Sequence, residues 1–176
     1  RGRYSLLGLD PDLLFRASRD RTEIFRHWQS DRTSSEQVPG NSLDALRALA
    51  ADCRIAVPDA LPPALACLVG YFGYETITLV EDLPRAPDSA VGLPDMVFAR
   101  PTLLLVFDRL SDALFVIAPL WPGTGEPAAR VAAAGERIDG VLARLTHAAP
   151  PEPRSADLPD MALTPVIEQD RYFAMV

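Results

Sequence analysis

The side chains able to do chemistry in this chain are scattered rather than gathered. Carboxylates occur in close pairs, Asp10 with Asp12 and Glu81 with Asp82. Such a pair could share a proton in general acid–base work or hold a hard cation. Both pairs, however, lie beside prolines or at a helix end, where acidic residues serve as solvated turn residues. His27 and His147 are far apart, and neither has a nameable orienting partner of the kind a catalytic imidazole needs. His147 follows a helical pattern, where a cation is favourable. No serine stands in a nucleophile elbow. Gly70-Tyr71-Phe72-Gly73 has strand-like surroundings and Gly123-Thr124-Gly125 turn-like ones, so neither reads as a phosphate-cradling loop. Cys53 and Cys67 lack metal-ligand spacing and read as buried free thiols. No catalytic residue and no metal site is expected in this segment.

Composition narrows the classes further. All 17 basic residues are arginine, so no Schiff base, lysine general base or P-loop lysine can come from these residues. The net charge of −7, without a basic cluster, argues against a nucleic-acid surface. No apolar run approaches the ~20 residues that span a bilayer. No signal-peptide pattern stands at Arg1, so the cytoplasm is expected and a membrane is not.

The elements that must position any site are read from hydrophobic pattern. Tyr4 to Leu9 is expected as a buried strand ending at Asp10-Pro11. Leu13–Ala17 and Thr22–Arg26 flank the polar tetrad Ser18-Arg19-Asp20-Arg21, a hairpin pattern. Gln29 to Gly40 reads as a surface loop. Asn41 or Ser42 then caps a helix with Leu43, Leu46 and Leu49 on one face. Ala66 to Gly73 is strand-like, and Gly70 and Gly73 imply a backbone passing close to another element while rings fill the space beside it. Tyr71, Phe72 and Tyr74 are expected to pack in a core. Tyr74 to Glu81 is a short helix pattern, and Leu83 to Pro94 a proline-rich loop.

Met96–Phe98 enters Thr102–Phe107, which pairs with Ala113–Pro119 as a hairpin, expected in one sheet with Ala66–Gly73. The unbroken apolar run in Thr102–Phe107 marks a central strand. Glu126 to Thr146 is an alanine-rich helix. Thr164 is a candidate N-cap for a helix running to Val176, with Pro165, Glu168 and Asp170 in its first turns. The division expected is a first region over 1–147, a proline-rich linker over 148–163, and the start of a truncated further domain over 164–176. Most strands join by hairpin-like turns, so the fold class is α+β, a largely antiparallel sheet with flanking helices.

Three stretches, RGRYSLLGLDPDL at the start, VGYFGYE around Gly70, and LPDMVFARPTLLLVFD from Leu93, together resemble the N-terminal region of anthranilate synthase component I. The resemblance runs in order over nearly the whole chain. It implies a part of the two-sheet sandwich of chorismate-utilising enzymes, and a whole enzyme that makes anthranilate and pyruvate from chorismate. That enzyme uses ammonia or glutamine, with Mg²⁺ and a glutamine amidotransferase partner, in tryptophan biosynthesis. The chorismate site and the magnesium carboxylates of the family lie in a later domain, outside this segment. The resemblance also implies feedback inhibition by tryptophan, with Tyr4 and Ser5 as effector-lining candidates on a strand beside the pocket. A strand alternates faces, so only one of the two can point at a given pocket. The large subunit of aminodeoxychorismate synthase and a non-catalytic binding module stand as alternatives.

Overall fold

The computed structural model describes residues 2–19, 21–62, 68–85, 91–147 and 164–175. Its contacts divide the chain into two units, Arg1–Arg144 and Leu145–Val176. The first holds two antiparallel sheets. One is three-stranded, with β7 (Leu103–Asp108) between β1 (Tyr4–Leu9) and β8 (Ala113–Ile117). The other is five-stranded, in the order β4 (Glu36–Gln37), β3 (Arg21–Phe25), β2 (Leu13–Ser18), β6 (Met96–Arg100), β5 (Val69–Phe72). Antiparallel pairing throughout and few helices make this the α+β class expected from the sequence.

The two sheets share a pair of strands that bends. β1 runs into β2 and β6 into β7, and these two paths are paired on both sides of the bend: Leu9 faces Leu103 before it, and Leu13 faces Arg100 after it. Between those pairs, Asp10, Pro11 and Asp12 oppose only Pro101 and Thr102, an extra residue that acts as a bulge and re-aims the ladder. Asp10 adopts φ 48°, and the Thr102 hydroxyl donates to its carbonyl at 2.7 Å. A central strand cannot carry proline without losing a ladder bond, so the break at Pro101 is where such a bend is cheapest.

Alternation sorts the faces. Leu13, Phe15 and Ala17 of β2, with Ile24 and Met96, bury one face of the five-stranded sheet beneath Leu46 and Leu49 of helix α1 (Ser42–Asp52) and its C-cap residue Cys53. Asn41 is the cap of α1: its side-chain oxygen accepts from the Leu43 amide at 2.8 Å, a contact worth ~1 kcal/mol. In the three-stranded sheet, Leu104 and Val106 pack with Tyr4, Phe115 and Ile117, whereas Leu103 and Leu105 pack on Ile138 and Val141 of helix α2 (Pro127–Thr146). The second unit holds α3 (Gln169–Met175).

The hairpins β2–β3 and β7–β8, the central place of β7, and helices α1 and α2 are as the sequence predicts. Other expectations change. Tyr4–Leu9 is a strand, but it is bonded on one side only, and Leu6 and Leu7 are exposed rather than buried. The β7–β8 pair does not share a sheet with β5, because the bend at Pro101–Thr102 separates Met96–Arg100 from Leu103–Asp108. Tyr71, Phe72 and Tyr74 are exposed, since β5 is an outer strand and Tyr74 opens a 3-10 turn (Tyr74–Leu79) instead of an α-helix. β-Branched Thr76, Ile77 and Thr78 disfavour a longer helix there.

The Gln29–Gly40 loop contributes the two-residue β4. Thr164 does not cap α3, which begins at Gln169, after the helix-poor pair Val166-Ile167. Cys53 is buried and free, whereas residues 63–67, Cys67 among them, and the 148–163 linker lie outside the described residues.

Candidate functional site

Tyr4 and Ser5 open β1, and the pairing fixes where each points. Tyr4 lies opposite Asp108 and Ser5 opposite Phe107, so the two side chains take opposite faces of the three-stranded sheet. Tyr4 is half-buried and packs against the Leu104–Val106 cluster beside Val57 and Leu61. Ser5 is exposed and lines a cleft of about 390 Å³ with Phe107, Asp108, Arg109, Asp112, Ala113 and Leu114. The lining carries charges of both signs, Arg109 and Asp112, while its third charged residue, Asp108, is committed to Arg3.

Arg3 and Asp108 hold this edge in place. Arg3 grips Asp108 through two bonds, Nε to Oδ1 at 2.9 Å and Nη2 to Oδ2 at 2.7 Å, and its guanidinium also lies 4.8 Å from the Tyr4 ring centroid. Asp108 further accepts from the Leu110 amide at 3.0 Å and the Ser111 hydroxyl at 2.8 Å, closing the β7–β8 turn. Arg3, with help from Ser111 and the Leu110 amide, holds the Asp108 carboxyl well below the usual carboxylate range. One carboxylate thus ties the start of β1 to the turn beside the cleft. Sequence reasoning did not single out either residue; their separation of 105 positions leaves no local signal.

Asp10 and Asp12, read from the sequence as turn residues, are engaged in the bend. Asp12 is clasped by Arg100 through two bonds of 2.8 Å, while Asp10 contributes its backbone carbonyl to Gln29 and Thr102. His27 lines a small surface hollow with Ser34, Ser35 and Glu36. Glu23 is the buried carboxylate on the outer face of the five-stranded sheet. Burial pushes it up, but hydrogen bonds from Arg16 and Ser35 and the charges of Arg16 and Arg21 outweigh burial and hold it below its ordinary value. Among the described residues no three His, Cys, Asp or Glu side chains group to hold a metal ion. Among them, too, no helix is long and apolar enough to cross a membrane.

The bent ladder and its two antiparallel sheets define a mixed α+β chain. No family model matches it. Its sequence is 41% identical over 151 residues to anthranilate synthase component 1 of Cereibacter sphaeroides, covering 85% of this chain and 30% of that protein. It is 30% identical over 118 residues to anthranilate synthase component 1 of Acetivibrio thermocellus, covering 67% of this chain and 23% of that protein. The fold matches the crystal structure of anthranilate synthase component I from Streptococcus pneumoniae TIGR4 with a TM-score of 0.65 at 21% identity, over 85% of this chain and 31% of that one. The chain is a homologue of anthranilate synthase component I and matches the N-terminal region of those proteins. It spans under a third of the length of these relatives.

Proposed function

We propose that this chain is the structural and regulatory N-terminal portion of an anthranilate synthase. The observation that carries the reading is the 41% identity over 151 residues to a protein named for that activity. In this reading the whole enzyme aminates chorismate and eliminates pyruvate to give anthranilate for tryptophan biosynthesis. Ammonia comes free or from a glutamine amidotransferase partner, and Mg²⁺ is held by carboxylates outside this segment. The described residues would build scaffold rather than bind chorismate. Feedback by tryptophan is assigned to the β1 edge, with Tyr4 and Ser5 as its candidate contacts. The mixed charge of the Ser5 cleft supports an amino-acid effector. The exposed rings of β5 fit a surface that further chain covers. The enzyme is placed in the cytoplasm.

The test is product analysis of the full-length protein with chorismate, ammonia and Mg²⁺. Anthranilate is the expected product. Accumulation of 4-amino-4-deoxychorismate would move the protein to the folate branch, and absence of any chorismate turnover would sink the enzymatic reading.

A further inference from the structure

We propose that the bend between the two sheets carries a binding site for a small oxyanion, a phosphate or carboxylate group, separate from the β1 edge. The site is a cavity of about 330 Å³. Its walls come from three places: Asp12 and Arg100 at the bend, the Trp121–Thr124 segment, and the opening turns of α2 through Arg130 and Arg137. Arg130 and Arg137 stand seven residues apart, which brings both to one face of the helix. Three arginines therefore meet one carboxylate among the described lining residues.

The three guanidinium groups differ in how far they are committed. Arg100 is neutralised by its two bonds to Asp12 and lies 5.7 Å from the Trp121 ring centroid. Trp121 is itself buried and pinned by its indole N–H to the Pro101 carbonyl at 2.7 Å, so this wall is rigid. Arg130 donates to the backbone carbonyls of Trp121 and Gly123, which orders the loop without cancelling its charge. Arg137 is the uncommitted one. Its Nε is buried and has no hydrogen-bond partner among the described residues.

A buried N–H of a charged group left unpaired is costly, and a planar guanidinium fork matches a carboxylate or phosphate oxygen pair. Two net positive charges in a concavity, on a chain whose overall charge is −7, form a local exception to the acidic composition. Arg137 lines a concavity of about 330 Å³, a volume suited to a small ligand rather than to the flat surface of a protein.

The experiment is isothermal titration calorimetry on the full-length protein at constant ionic strength, with three probes: inorganic phosphate, succinate, and a glutamate-rich peptide. Saturable binding of phosphate or succinate is expected, and which of them saturates distinguishes a phosphate-bearing from a carboxylate-bearing ligand. Arg137→Gln is expected to weaken that binding roughly tenfold or more, with the circular dichroism spectrum unchanged. Should Arg137→Gln fail to fold, Arg137→Lys keeps the charge, loses the fork, and is expected to weaken binding in the same direction. No saturation by either small anion overturns the proposal, as does parental affinity in the folded variant. Saturation by the peptide alone also overturns it, because the cavity is then a protein contact.

Discussion

Asp108 shows how much of the candidate edge depends on a single ionised side chain. It holds Arg3, the Leu110 amide and the Ser111 hydroxyl at once. Its folded-state pKa is depressed, so its contribution to stability is present above its unfolded value, near 4, and is lost as pH falls below that. Glu23 is shifted in the same direction and adds to the same acid sensitivity. Asp108→Asn should therefore lower the denaturant midpoint at neutral pH, and the gap between parent and variant should close as the medium is acidified below about pH 4. A gap that stays constant down to pH 3 would show that the ion pair carries no net stability. Gly70 makes a second test. A Cβ there would come within 1.9 Å of the Val97 carbonyl oxygen and 2.7 Å of the Phe98 Cα, so β5 must move away from β6 to admit it. Gly70→Ala should cost about 1–3 kcal/mol in chemical denaturation, as overpacked sites do. An unchanged midpoint would mean that β5 contributes little to the folded state.

Among the elements, legibility in the sequence followed locality. The cap at Asn41, the helix Ser42–Asp52 and the β2–β3 hairpin are written within a few residues of where they act, and the sequence predicts them. Gly70 is legible for the same reason, since a glycine between large apolar residues in a strand announces a close approach. The bend was not legible. FARPTLLLVFD reads as one apolar path, and only the long-range pairing of Leu9 with Leu103 and of Leu13 with Arg100 shows that Pro101–Thr102 divides it between two sheets. The burial of β1 was misjudged on similar grounds, because an apolar strand at a sheet edge has the same letters as one in the middle. The edge site is half-legible: Tyr4 and Ser5 come from a resemblance, whereas their clamp, Arg3–Asp108, lies beyond any local pattern. Centre and edge can be separated by measurement. Leu104→Ala, in the middle of β7 and fully buried, should cost about 2–5 kcal/mol. Leu7→Ala, on the exposed side of β1, should change stability by no more than about 0.5 kcal/mol. Equal losses would mean that β1 is covered by chain that these contacts do not include.

At the scale of the whole molecule, the regulatory assignment carries the sharpest consequence. β1 turns Tyr4 and Ser5 to opposite faces, so under the proposed regulatory reading a tryptophan molecule at this edge would meet only one of the two side chains. Ser5 stands in a cleft with charged groups of both signs, while Tyr4 is part of an apolar cluster. In the full-length enzyme, the alanine variant of the contacting residue should raise the tryptophan concentration needed for half-inhibition by about 5- to 150-fold, the span of a coupling of 1–3 kcal/mol. Turnover without tryptophan should stay near that of the parent, because an effector contact that is lost removes coupling and not chemistry. Ser5→Ala removes only a hydroxyl from an exposed position, so it tests the contact without disturbing the core. Tyr4→Ala opens a gap in the Leu104–Val106 cluster, and Tyr4→Phe separates the loss of the hydroxyl from the loss of the ring. Inhibition curves identical to the parent's in all three variants would reduce this strand to scaffold. A parallel fall in uninhibited turnover and folded yield for Tyr4→Ala, with Tyr4→Phe and Ser5→Ala unchanged, would make Tyr4 a core residue and remove it from the effector site.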